Sequence, residues 1–141
     1  MSDLIDIYQQ YLDMSDEERN NIALMTMRSI FEYLESEADS EDEVLEFVLD
    51  MFSVLCCADG TINYEEYEMF KLVTGATVSY DEFFDAVKDG TDPEYVEGFF
   101  ELVENLDDDF QSDIFVLALC LFTSKGTLTV SEQEFIDEYL F

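Results

Sequence analysis

The sequence predicts an all-α fold, a compact bundle of about seven to eight short helices. Three observations support this prediction. Apolar residues recur at spacings of three and four, helix-capping pairs recur along the chain, and no segment alternates as a strand would. The 141 residues are 48% hydrophobic and 15% aromatic, which is enough for one domain with a buried core. We therefore expect a single domain over residues 1–141.

Helix starts are indicated by a Ser, Thr or Asn that is followed three residues later by Glu. Each side chain can then bond the other residue's backbone N–H, which would otherwise lack a partner at the start of a helix. The pairs are Ser15–Glu18, Ser40–Glu43, Asn63–Glu66, Ser79–Glu82, Thr91–Glu94 and Thr129–Glu132. The recurrence of this pattern predicts short helices that begin within two residues of each cap.

The first half of the chain contains four predicted helices, near residues 3–13, 16–37, 41–58 and 64–74. The first is amphipathic, with Leu4, Ile7, Tyr8 and Tyr11 on one face. Ser15 precedes the second helix, and the third carries a long apolar face after its own serine cap. The fourth follows Asn63.

The second half contains four more predicted helices, near residues 80–88, 93–106, 110–124 and 131–140. Pro93 stands where a first helical residue would, a position at which its missing N–H costs nothing. Four glycines fall between the predicted helices and suit the positive φ that ends a helix: Gly60, Gly75, Gly90 and Gly126. Because the loops are short, neighbouring helices should pack as antiparallel hairpins.

The charge of the chain restricts its partners. Asp and Glu number 36 against five Lys and Arg, a formal net charge of −31. Such a surface repels phosphate groups, so direct binding to nucleic acid or to an anionic membrane is not expected. The longest apolar run, residues 114–122, is about half the roughly 20 residues of a membrane-spanning helix, which predicts no membrane insertion. The partner that this charge favours is a protein with a basic surface.

Enzymatic chemistry has little support in the composition. The sequence contains no His, which removes imidazole bases, Ser-His and Cys-His nucleophile pairs and most zinc sites. Cys56, Cys57 and Cys120 lie in apolar surroundings without CxxC spacing, which indicates reduced core thiols. The absence of these groups leads us to expect a protein that is not an enzyme. The first residues have neither the basic nor the apolar region of a signal peptide, so we expect a cytoplasmic location.

A weak internal repeat relates two parts of the chain. Residues 58–70 align without gaps on residues 124–136, an offset of 66 (126 − 60), with identical Gly, Thr and two Glu. Each copy comprises a long apolar helix, a glycine turn and a capped second helix. The pattern predicts two related helical halves, about residues 41–74 and 107–141, around a pseudo-twofold axis.

One segment offers candidate metal ligands: Asp59, Glu65 and Glu66. Gly60 and Glu66 are spaced as the glycine and final glutamate of an EF-hand calcium loop, but Leu55 and Cys57 occupy the positions of its first two ligands. A working EF-hand is therefore not expected. Two interpretations of the segment remain. Its carboxylates could bind a hard cation, or they could only form a turn and a capping box, which is the interpretation that we favour from sequence alone.

This segment resembles the tellurite-resistance TerB-like family, in which an apolar helix ends in Ala-Asp-Gly and an acid opens the next helix. The matching residues are Ala58-Asp59-Gly60, Ile62, Glu66 and Met69. The resemblance implies an all-helical fold with two related halves, and an acidic, stress-associated protein that binds a divalent metal. The second copy departs from the pattern, because Lys125 stands where an acid is expected.

The leading functional hypothesis is a TerB-like domain that acts as a cation-binding module, a protein-interaction module, or both. Its cation would be calcium, magnesium or manganese in preference to zinc, because the candidate ligands are oxygens. The alternative is a DNA mimic that occupies the basic groove of a nucleic-acid-binding protein, which the net charge of −31 suggests.

Overall fold

The computed structural model describes residues 2–58 and 60–140, without the side chains of Ser2 and Asp3. The all-α prediction is confirmed. Eight α-helices are present in the described ranges: α1 (Ser2–Asp13), α2 (Asp16–Glu37), α3 (Glu41–Cys56), α4 (Tyr64–Thr74), α5 (Tyr80–Val87), α6 (Pro93–Val103), α7 (Asp108–Thr123) and α8 (Val130–Phe135). A 3₁₀ turn (Lys88–Thr91) joins α5 to α6, and a π-helical turn (Ile136–Leu140) follows α8.

Helices α2 and α7 pack along each other and carry the centre of the core. Helix α7 is buried over most of its length, since its residues 117–123 are all inaccessible. Helix α1 covers α7, and α4 packs on α2. Helices α5 and α6 lie against α3, where Phe47 of α3 contacts Phe99 of α6. The glycine turns after α3 and α7 therefore both emerge from helices that are deeply anchored.

Most predicted caps are confirmed. Ser15, Ser40, Asn63, Ser79 and Thr129 each accept a hydrogen bond from the backbone N–H three residues later. The Thr91–Glu94 cap is wrong. Asp92 caps α6 instead, accepting from the Glu94 N–H, because Pro93 takes the first helical position. Thr91 belongs to the 3₁₀ turn and donates to the Lys88 carbonyl.

The predicted positive φ is confirmed at Gly60, Gly75 and Gly126 and is wrong at Gly90. Gly90 lies in the 3₁₀ turn, which packs directly against the backbone of α3. A Cβ at this position would lie 1.8 Å from the Ser53 carbonyl oxygen. The requirement at Gly90 is therefore close approach between two backbones, not a left-handed conformation.

Arg19 fastens the start of α2 to the end of α7. Its guanidinium is buried and donates to the carbonyls of Tyr11 and Met14, at 2.6 and 3.0 Å. It also donates to the Thr123 hydroxyl at 3.0 Å and pairs with Asp16 at 2.9 Å. The α1–α2 junction is thereby tied to the residue that immediately precedes the second glycine turn.

Within residues 2–58 and 60–140, none of the helices combines the length and apolar character that a membrane crossing requires.

Candidate functional site

The candidate site is the turn between α3 and α4, here called the first turn. Its backbone is closed by a hydrogen bond from the Gly60 N–H to the Cys57 carbonyl, at 2.9 Å. Gly60 has φ 83°. Asn63 then caps α4, because its side chain accepts from the Glu66 N–H at 2.9 Å. The chain thus passes from α3 to α4 within a few residues, and α4 begins with Tyr64 and Glu65 exposed and Glu66 buried.

The turn between α7 and α8, here called the second turn, repeats this geometry. The Gly126 N–H donates to the Thr123 carbonyl at 2.9 Å, and Gly126 has φ 87°. Thr129 caps α8 by accepting from the Glu132 N–H at 3.1 Å. Both hydrogen bonds have a counterpart in the first turn, between residues that lie 66 positions earlier in the chain. For the closing bond, the acceptor carbonyls belong to Thr123 and Cys57 (123 − 57 = 66). The two turns therefore have the same local scaffold.

Both turns bury one glutamate. Glu66 and Glu132 are each 1% exposed. Their carboxylates accept from the N–H of their own cap residues, Asn63 at 3.2 Å and Thr129 at 3.0 Å. A third capping-box glutamate, Glu82, makes the same bond at the surface, where water solvates it. Burial of a charged carboxylate costs free energy, because the carboxylate loses its water. Glu66 and Glu132 therefore require compensating interactions inside their turns, whereas Glu82 does not.

In the second turn, a lysine compensates the charge of the buried glutamate. Lys125 Nζ lies 2.7 Å from both carboxylate oxygens of Glu132. It also donates to the Phe122 carbonyl at 2.8 Å, at the end of α7. The ammonium is thus bound by three oxygens, two of them from a buried side chain. By the offset of 66 (125 − 66 = 59), the residue that corresponds to Lys125 in the first turn is Asp59.

The structure describes two of the three predicted ligands. Asp59 lies outside the described residues. Glu66 is buried in the first turn, whereas Glu65 is exposed and lines a groove of about 300 Å³ with Asp16 and Glu68. Consecutive helical residues face different directions, so Glu65 does not join Glu66. Among residues 2–58 and 60–140, no three His, Cys, Asp or Glu side chains converge as a metal site.

The first turn is braced by tyrosines from the α4–α5 hairpin. The Tyr80 hydroxyl donates to the Ile62 carbonyl at 2.8 Å, and the Tyr67 hydroxyl donates to the Val78 carbonyl at 2.6 Å. The two rings contact edge to face, with centroids 5.4 Å apart. The Tyr80 bond holds the chain immediately before the Asn63 cap, and the Tyr67 bond ties α4 to the segment that precedes α5.

The sequence did not predict the Lys125–Glu132 ion pair. The available signal was the substitution itself, since a lysine stands where the first copy has an aspartate. The cysteines agree with the prediction of core thiols, because Cys56, Cys57 and Cys120 are buried and none of them forms a disulfide. Burial raises the pKa of Cys120 to about 12, against the opposing effect of nearby Arg19. A thiol in this environment is a poor metal ligand.

Comparison of the chain with protein-family models, with curated proteins and with solved structures finds no match. The TerB-like resemblance therefore stays a prediction from the residues of the first turn.

Proposed function

We propose that this chain is a cation-binding module and not an enzyme, and that its cation site is the first turn, with Asp59 and Glu66 as ligands. One observation carries the proposal: in the second turn, the ammonium of Lys125 is bound between Glu132 and a backbone carbonyl. The same scaffold in the first turn has an aspartate at the lysine position. A cation from solution would there replace the ammonium of Lys125.

The chemistry of the turn favours a hard divalent ion. Its candidate ligands are carboxylate and carbonyl oxygens, which suit calcium, magnesium and manganese. Zinc prefers nitrogen and sulfur ligands, but the sequence has no His, and all three thiols are buried. The net charge of −31 adds to this preference, because it concentrates cations around the protein. The TerB-like resemblance implies the same role in a stress-associated protein.

The test is thermal unfolding with calcium, magnesium, manganese or zinc at matched ionic strength. We expect one of the first three ions to raise the Tm by roughly 9 °C when its concentration is about a hundred times the dissociation constant. Zinc should give a smaller rise. A variant that combines Asp59→Asn and Glu66→Gln should lose the ion-specific rise, because two carboxylates become amides of the same shape.

Glu82→Gln is the matched control. Glu82 occupies the same place in a capping box, but at the protein surface and in a turn without an aspartate before it. This variant should keep the full ion-specific rise. The proposal fails if sodium at the same ionic strength stabilises as much as every divalent ion, or if the double variant responds as Glu82→Gln does.

A further inference from the structure

Two neighbouring grooves follow the outer face of α2. One of about 460 Å³ lies between α2 and α4, and the other, of about 490 Å³, lies between α2 and the start of α3. Phe31 and Glu35 line both grooves. The two are therefore continuous, and we call them together the α2 groove. It shares no lining residue with the first or the second turn.

The floor of the α2 groove is apolar. Leu24, Phe31 and Val73 line one part, and Phe31, Val44 and Leu45 line the other. Leu45 is 56% exposed, so its apolar side chain is accessible to a partner. Lining residues extend along α2 from Leu24 to Glu35, a distance of about 17 Å at the helical rise of 1.5 Å per residue. That length accommodates about three turns of a second helix.

The rim of the α2 groove is acidic. Glu32, Glu35, Asp39 and Glu41 line it and are exposed. Among the described residues that line the groove, Arg28 is the one cation, and it lies in the part between α2 and α4. The part next to α3 therefore combines three carboxylates with an apolar floor. An occupant must be apolar on one side and positively charged along its edges.

We infer that the α2 groove binds an amphipathic helix of a partner protein, whose apolar face contacts Phe31 and Leu45 and whose basic residues pair with Glu35, Asp39 and Glu41. Charge complementarity supports this occupant over two others. A second copy of the chain brings its own net charge of −31, and an anionic lipid surface meets the same repulsion. The inference depends on the proposed function only in treating the domain as a binding module.

The probe is an 18-residue peptide of leucine and lysine, with the leucines along one helical face. Its control is a peptide of the same composition in scrambled order, which has the same charge but no apolar face. Titration calorimetry near physiological salt should give an affinity about tenfold higher for the amphipathic peptide. Equal affinities would overturn the inference, because the binding would then depend only on net charge.

The protein variant combines Leu45→Ser and Glu35→Gln, which changes only exposed side chains of the α2 groove. Its matched control combines Ile5→Ser and Asp6→Asn on α1, where both side chains are equally exposed. We expect the groove variant to bind the amphipathic peptide about tenfold more weakly and the control to change less than about twofold. Equal losses in the two variants would overturn the inference.

Two further measurements separate this inference from others. Sedimentation should show a monomer, and a dimer that the groove variant dissociates would make a second copy the occupant and overturn the inference. The combined Asp59→Asn and Glu66→Gln variant should bind the peptide normally, since it leaves the α2 groove intact. A failed cation titration with normal peptide binding would thus remove the proposed function alone.

Discussion

The first and second turns share their closing and capping hydrogen bonds, and they differ in the charge of the residue before the glycine. Both close with a glycine at positive φ, both cap the next helix with a complete capping box, and both bury a glutamate. At the position 66 residues before Lys125, however, the first turn has Asp59. The comparison shows that capping alone does not determine the electrostatics of such a turn. In the second turn, the residue before the glycine supplies an ammonium to the buried glutamate.

The difference has energetic consequences for the second turn. A buried ion pair contributes little net stability, because both charges lose water, but the loss of one partner leaves a buried charge without compensation. Glu132 is 1% exposed and Lys125 is half-buried, so this pair belongs to the buried class. The second turn is therefore expected to be sensitive to Lys125 and insensitive to divalent ions.

The largest effect is expected from Lys125→Met. This change removes the ammonium and keeps a side chain of similar length, which leaves the Glu132 carboxylate buried without its cation. We expect the free energy of unfolding to fall by about 3 kcal/mol, measured by chemical denaturation. Adding Glu132→Gln should recover most of this loss, because the amide carries no charge.

Lys88→Met is the control for this prediction. Lys88 is exposed and lies 3.8 Å from Asp85, so its removal should cost less than about 0.5 kcal/mol. If Lys125→Met costs no more than Lys88→Met, the ammonium does not compensate Glu132, and the comparison between the turns loses its basis.

The next effect is expected from Asp59→Lys, which gives the first turn the residue found in the second. We expect the free energy of unfolding without divalent ions to rise by about 1–2 kcal/mol, since a charge-assisted hydrogen bond to Glu66 becomes available. The ion-specific rise in Tm should disappear. Calcium titrations monitored by thermal unfolding measure both changes.

Glu46→Lys changes the net charge equally from an exposed position in the middle of α3, and it controls for reduced self-repulsion. It should leave the cation response unchanged. Retention of that response by Asp59→Lys would place the bound cation elsewhere in the molecule.

The smallest effect concerns the shared scaffold. Gly60→Ala and Gly126→Ala should each lower the free energy of unfolding by about 1 kcal/mol, because L-residues disfavour positive φ. A Cβ at either position would meet no atom within 4 Å, so the backbone alone accounts for the cost. Denaturation midpoints should agree between the two variants. A difference larger than about 0.5 kcal/mol would mean that the turns are not equivalent.

Gly98→Ala is the control for these two variants, and its expected change in stability has the opposite sign. Gly98 lies inside α6, its φ is not positive, and an added Cβ would meet no atom within 4 Å. Alanine should therefore stabilise α6 by up to about 1 kcal/mol.

Local signals in the sequence predicted most of the fold. A capping pair or a glycine turn depends only on residues a few positions apart in the chain. The predicted starts of α2, α3, α4 and α5 therefore agree with the structure. The error at Thr91 is also local, since Asp92 is a competing cap directly before Pro93. Helix ends were predicted less well. Helix α6 was expected to reach residue 106, but it ends at Val103. The prediction missed this end because no glycine marks it in the sequence.

Features that depend on tertiary contacts were not predictable in the same way. Gly90 resembles a helix terminator in sequence, and only its contact with Ser53 of α3 reveals the need for a missing side chain. Arg19 is an ordinary helix residue until Thr123, 104 positions later, is brought beside it. At the candidate site, the sequence indicated Glu66 as a possible ligand. It did not show that the equivalent glutamate, Glu132, is buried and paired with Lys125. The DNA-mimic alternative stays a prediction.

The buried Arg19 also affects how the molecule opens. Its guanidinium holds the carbonyls of Tyr11 and Met14 on one side and the Thr123 hydroxyl on the other. Detachment of α1 would therefore remove the Tyr11 carbonyl from the same guanidinium that binds Thr123 in the last turn of α7. The amide protons of the α1–α2 junction and of the α7 terminus should exchange with solvent together, as one cooperative unit that links the amino-terminal helix to the second turn.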